Sequence, residues 1–151
     1  MSETLWSTKL AIDPTGKETL VIHCSDWRFV EVTRRFLQEN LKVQSYDLIV
    51  VPGAIYFIVS YLFPKYVWVA RRWLKFFFKH HGTKRVIAFS HKDCGWYKAM
   101  ELAESWSEKL REVQAKDAHQ VPQALSEINE SVSFEHYFID FTDTQALIKI
   151  V

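Results

Sequence analysis

Lys84-Arg85-Val86-Ile87-Ala88-Phe89-Ser90, followed at once by His91-Lys92-Asp93-Cys94-Gly95, is the stretch on which the fold turns. A short run with Val-Ile-Ala-Phe at its centre reads as a strand buried on both faces, as in a parallel sheet. Gly82 is placed to stop a helix before it. Upstream, a long aromatic-rich segment from about Ala54 to His81 reads as helical, broken or kinked at Pro64. Further back come the Pro52-Gly53 turn and a strand at Asp47 to Val51. An amphipathic helix carries Phe29, Val32, Phe36 and Leu37 among Glu31, Arg34, Arg35 and Glu39 and ends near Asn40. A first strand runs from Glu18 to Cys24.

Downstream, Trp96, Ala99, Met100, Ala103, Trp106, Leu110 and Val113 step by three and four, predicting one helix. A second is expected to start at Pro122 and turn Leu125, Ile128 and Val132 inward, before strands at His136 to Phe141 and Leu147 to Val151. Strands alternating with helices imply right-handed crossovers. The expected class is α/β: a mainly parallel sheet flanked by helices on both faces. Residues 1–151 fit one domain of ordinary size.

Composition narrows the function classes. With 19 basic and 18 acidic residues the net charge is +1, which gives no general pull toward nucleic acid or membrane. Two cysteines and an opening without a basic start and apolar middle suit a reducing, cytoplasmic setting. Leu48 to Pro64 carries no charge, yet Pro52, Gly53 and Pro64 interrupt it, so a buried strand, a turn and a helix start explain it better than a membrane span.

In an open α/β sheet ligands sit outside the carboxyl ends of the strands. The first strand ends in Cys24-Ser25-Asp26-Trp27-Arg28 and the third in His91-Lys92-Asp93-Cys94-Gly95. If these strands are neighbours, two thiolates and an imidazole converge in a soft three-ligand site suited to zinc, with one position open. His91 and Cys94 share one tight turn, with Gly95 helping the backbone make it, and Cys94 sits near a helix start that favours a thiolate. Asp26 and Arg28, two apart in an extended stretch, are expected to pair bidentately on one face. Asp26 then either accepts a hydrogen bond from a metal-held hydroxide or swings in to close the site.

The pattern Cys24-x-Asp26-x-Arg28, followed after a βα unit by His91-x-Asp93-Cys94-Gly95, resembles the signature of the β-class carbonic anhydrases over roughly Thr19 to Met100. The resemblance implies about four parallel strands in the order 2-1-3-4 plus a C-terminal strand, with Cys24, His91 and Cys94 as zinc ligands and Asp26 with Arg28 as the catalytic dyad. It implies reversible hydration of carbon dioxide to bicarbonate by zinc-bound hydroxide, in a homodimer or higher homo-oligomer. The chain departs from the family where Val51-Pro52-Gly53-Ala54-Ile55 replaces Arg-Asn-Ala-Gly-Asn, where Ser90 replaces a glycine, and where Trp96 and Tyr97 follow Gly95 in place of small residues. Its N-terminal region is also shorter than the family's dimer-embracing arm.

Each reading has a plainer counterpart. The cysteines alone would be inert core residues, and Asp26 with Arg28 a structural ion pair. His23 should point away from Cys24 as a packed histidine. His80 and His81 read as a solvated helix end, and Arg71, Arg72, Lys75 and Lys79 as its wet face. The aromatic surplus of Tyr56 to Phe78 fits either a subunit interface or a well-filled core. Two other functions share the site: hydrolysis of carbonyl sulfide or carbon disulfide, and a non-catalytic zinc clip in an interaction protein.

Overall fold

The run Thr-Leu-Val-Ile-His forms β1 (Thr19–His23), and every residue after its first is buried. β-Branched and aliphatic side chains suit a strand covered on both faces. The other strands are β2 (Asp47–Val50), β3 (Arg85–His91), β4 (Ser133–Phe141) and β5 (Ala146–Ile150). They make one sheet in the order β2-β1-β3-β4-β5. The first four are parallel and β5 is antiparallel to β4. The class and order are those expected. The computed structural model describes residues 7, 9, 13–100 and 108–151.

Alternation along the central strands sorts the core into two halves. Leu20, Ile22, Val86 and Ala88 face one side, with Leu74, Val121 and Leu125 from helices. Val21, Ile87 and Phe89 face the other, with Phe29 and Leu37. Leu20, Leu37 and Ile87 have no exposed surface, and burying an aliphatic side chain of this size contributes roughly 1.5–3 kcal/mol. Helix α1 (Val30–Glu39) covers the second side. Helices α2 (Tyr56–Val59), α3 (Pro64–Phe76), α4 (Gly95–Ala99) and α5 (Glu108–Ser126) lie on the first.

Pro64 does break the aromatic segment: α2 ends before it, and it opens α3 at the first helical turn, where its missing N–H costs nothing. A π-turn over Phe77–His81 follows and closes on Gly82 at φ 70, a left-handed stop that glycine takes without a Cβ clash. His80 is exposed as expected, but His81 is not a solvated end. Its Nδ1–H donates to Asp47 Oδ2 at 2.8 Å, because the helix returns the chain beside the start of β2. Arg71 likewise leaves the wet face to pair with Glu127 at 2.8 Å.

Two helix expectations need correction. Pro122 starts no helix; it lies inside α5. Its absent N–H removes one bond, to the carbonyl of Ala118, a loss outweighed by the burial of neighbouring Val121 and Leu125, both within 1 % of full burial. The helix expected from Trp96 to Val113 is interrupted at Met100, which takes ψ 7 at the end of α4; Leu110 and Val113 lie in α5, described from Glu108 onward. Ala103 and Trp106 lie outside the described residues.

Candidate metal centre

Register builds the site. β1 pairs with β3 so that Ile22 lies opposite Ala88 and His23 opposite Phe89. Cys24, the next residue, therefore leaves the sheet where β3 is finishing with Ser90 and His91. Three residues beyond His91 the chain supplies Cys94. The ligating atoms of Cys24, His91 and Cys94 all lie within 4.8 Å of one another, and all three residues are buried. The two sulfurs are 3.9 Å apart.

The turn from His91 to Cys94 works by a different residue from the one expected. Asp93 carries the left-handed backbone, at φ 67, while Gly95 keeps an ordinary φ and has open space where a Cβ would stand. Aspartate is among the few residues that tolerate this conformation. Cys94 is then the cap of α4, as expected.

The donor set fits a soft cation. The Nδ1–H of His91 donates to the Lys92 carbonyl at 2.8 Å, which fixes the tautomer and leaves Nε2 as a lone pair. That Nε2 is buried and, among the described residues, has no hydrogen-bond partner. A buried orphan acceptor is costly unless something completes it. Nearby backbone N–H groups favour negative charge on both sulfurs, that of Gly53 on Cys24 and those of Tyr97 and Trp96 on Cys94. The Cys94 S–H and the Gly53 N–H favour the thiolate form of Cys24 against the opposing effect of burial, so Cys24 is lowered. Cys94, holding the shared proton beside that charge and away from water, is pushed up. One proton between two buried sulfurs is the position a divalent cation would take over.

Asp26 and Arg28 do pair, but the local backbone is not the extended stretch expected. Asp26 caps a 3₁₀ turn, Trp27–Phe29, and its Oδ1 accepts the Arg28 backbone N–H at 3.1 Å. The guanidinium returns over the same carboxylate, with Nε 3.0 Å from Oδ1 and Nη2 2.7 Å from Oδ2. The Arg28 hydrogen bonds hold Asp26 below the usual carboxylate range. Arg28 also lies over the rings of Phe29 and Phe141 at 5.2 and 5.5 Å. Asp26 is thus engaged by arginine and is not one of the three converging donors. His23 is buried, donates Nδ1–H to the Cys24 carbonyl at 2.7 Å and stays out of the ligand set, as expected.

A cleft of 470 Å³ opens over this edge, walled by Cys24, Asp26, Trp27, Arg28, Pro52 and Trp96 among others. Three contacts that support the site were not foreseen, although Phe29 and Tyr97 were themselves singled out in the sequence. Phe29 lies against the His91 ring, centroids 4.4 Å apart. Gln114, 1 % exposed, reaches from α5 to donate to the His91 carbonyl at 3.2 Å. The Tyr97 hydroxyl donates to the buried Asp117 at 2.8 Å. A polar Gln114 on the apolar side of a helix and a bulky Tyr97 just after the second ligand motif were the signals available for them.

Residues 15–147 match a family model described as "Putative carbonic anhydrase". The chain belongs to that carbonic anhydrase family. Among curated proteins it is 26% identical over 97 residues to an uncharacterized protein of Rickettsia bellii, covering 64% of this chain and 59% of that one. A second uncharacterized protein, from Rickettsia conorii, is 23% identical over 100 residues, covering 66% and 54%. This family member thus spans a little over half the length of those relatives. Its fold is that of a β-carbonic anhydrase of Aspergillus fumigatus, with TM-score 0.55 and 15% identity over 89% of this chain and 76% of the other. Tetrameric β-carbonic anhydrases of Sordaria macrospora give 0.52 at 16% identity, covering 89% and 81%. The apo form of a carbon disulfide hydrolase gives 0.51 at 15% identity, covering 84% and 75%. No described helix of this carbonic anhydrase family member is long and apolar enough to cross a membrane.

Proposed function

We propose that residues 1–151 act as a single-domain, cytoplasmic, zinc-dependent lyase that interconverts carbon dioxide and bicarbonate. The observation that carries the reading is the convergence of Cys24, His91 and Cys94 within 4.8 Å beside an arginine-held carboxylate. Cys24 and Cys94 as thiolates and His91 through Nε2 would hold the ion. When bound, zinc supplies a Lewis acid that lowers the pKa of a water toward neutrality.

The remaining work falls to the chain itself. Asp26, kept ionised by Arg28, accepts a proton-bearing oxygen's hydrogen bond and so orients the attacking lone pair toward substrate. Arg28 positions Asp26 and keeps it off the cation. Trp27, Pro52 and Trp96 offer apolar walls to a small uncharged substrate and limit bulk water in the cleft. A homodimer or higher oligomer belongs to this reading, with the exposed edge strand β2, where Leu48 and Val50 are 47% and 45% exposed, as the surface for a second copy.

Hydrolysis of carbonyl sulfide or carbon disulfide is the second reading, favoured by Trp96 closing over the altered Val51 to Ile55 turn. The deciding experiment is metal analysis of wild type and Cys24→Ser, followed by parallel rapid assays with carbon dioxide, carbonyl sulfide and carbon disulfide across pH. Zinc bound at unit stoichiometry with hydration activity supports the lyase. Zinc without turnover on any of the three leaves the non-catalytic clip.

A further inference from the structure

We propose that the turn at Tyr61, Leu62 and Phe63, together with the exposed side of α3, docks on an anionic lipid bilayer and lies in its interface without crossing it. Between Asp47 and Asp93 the chain contains no acidic residue and eight basic ones. The overall charge of +1 therefore conceals +8 in residues 48–92 opposed by −7 in the rest. An expectation of no membrane partner drawn from net charge averages this asymmetry away.

The three-dimensional structure separates the eight. Arg71 pairs with Glu127, Lys84 with Glu18, Arg85 with Glu135 and Lys92 with Asp140. Lys65, Arg72, Lys75 and Lys79 are exposed and, among the described residues, meet no carboxylate. At 3.6 residues per turn Lys65, Trp68, Arg72, Lys75 and Phe76 share the side of α3 opposite its buried Ala70 and Leu74. Trp68 is 60% and Phe76 49% exposed, and the preceding turn exposes Tyr61 by 73%, Leu62 by 46% and Phe63 by 39%. The Arg72 guanidinium lies 5.1 Å over the Trp68 ring.

Large apolar side chains interleaved with unpaired cations are what an interfacial segment needs. Leucine and phenylalanine enter the acyl boundary, tryptophan and tyrosine sit at headgroup level, and lysine and arginine reach phosphate along their aliphatic stems. A second copy is a poorer occupant, since a twofold contact would set Lys65, Arg72 and Lys75 against their own duplicates with no acid in the segment to answer them. Leu62 at the tip of the turn gives nothing to a nucleic-acid base but partitions well into lipid. The face also adjoins the cleft: Phe63 and Tyr66 centroids are 5.3 Å apart, Tyr66 and Trp96 6.0 Å, and Trp96 lines the cleft. The inference does not depend on the metal reading.

The test is flotation of the full chain with phosphatidylcholine vesicles, with and without phosphatidylserine, followed also by tryptophan emission. Partitioning at least about tenfold stronger with phosphatidylserine, fading as salt rises, with a blue shift in emission, is expected. The triple change Lys65→Glu, Arg72→Glu and Lys75→Glu should lower it by at least about tenfold. Phe63→Ser should lower it too, and Arg35→Glu on α1 should leave it intact, all with unchanged circular dichroism. Equal partitioning of wild type and the triple variant would overturn the proposal, as would a complete lack of vesicle binding. Tighter binding to a single-stranded oligonucleotide would assign the face to nucleic acid, and a triple variant that falls from oligomer to monomer would assign it to a second copy.

Discussion

The indole of Trp96 lies across the backbone of Gly53, so closely that a Cβ built on Gly53 would stand 2.4 Å from Trp96 Cδ1. Gly53 also takes φ 74, which L side chains rarely adopt. The glycine of the altered turn and the tryptophan after the second ligand motif therefore fit as a pair, and together they shape one wall of the cleft. Gly53→Ala is expected to cost about 2–4 kcal/mol, combining left-handed strain with overpacking. Adding Trp96→Ala should recover the overpacking part only, so chemical denaturation of the single and double variants checks both. A single variant as stable as wild type would contradict the contact.

Asp26→Ala should lower carbon dioxide hydration by about 100-fold or more, in the range removed with a proton-handling side chain. Zinc content and melting temperature should stay near wild type, since Asp26 is outside the converging donors and its pair with Arg28 is partly exposed. Full activity in Asp26→Ala would leave the ion pair with a structural role alone.

Removal of the metal should destabilise the protein as well as silence it. With free zinc a thousandfold above its dissociation constant, the bound form gains about 4 kcal/mol over the apo form. Thermal unfolding with and without a chelator measures that difference directly. Cys24→Ser should erase most of it, and a melting curve that ignores both chelator and substitution would argue against three ligands acting on one ion.

His136 makes stability depend on acid. It is 5 % exposed on β4, its Nε2 meets Ser90 Oγ at 2.9 Å, and burial with the charge of His119 lowers it from 6.5 to about 4. Because the folded value lies below the unfolded one, the unfolded chain binds the extra proton first. The contribution is whole above about pH 6.5 and is lost as pH falls toward 4, by up to roughly 3 kcal/mol. His136→Gln should flatten that part of the stability–pH curve, and urea titrations of both proteins between those limits would reveal whether the curves run parallel instead.

Much of the fold was legible because its signals are local. Buried strands announce themselves as short β-branched runs, Pro64 and Gly82 punctuate helices wherever they occur, and a strand followed by His-x-x-Cys places two ligands on one turn. The errors came where tertiary burial overrode a local rule. Pro122 reads as a helix start, yet Val121 and Leu125 hold it inside α5. Gly95 reads as the flexible residue of the turn, yet Asp93 takes the left-handed position. His81 reads as solvated, yet Asp47, distant in sequence, captures it.

By itself the sequence determined the α/β class, the run of strands and helices along the chain and the chemical kinds of donor on offer, because residue type, burial period and turn preference are properties of short windows. Only the tertiary structure decided that Cys24 meets Cys94 at 3.9 Å, that His91 presents Nε2 and that Trp96 seals against Gly53. Those relations depend on how β1 and β3 align across more than sixty intervening residues, and a shift of one residue in that pairing would turn Cys24 to the opposite face.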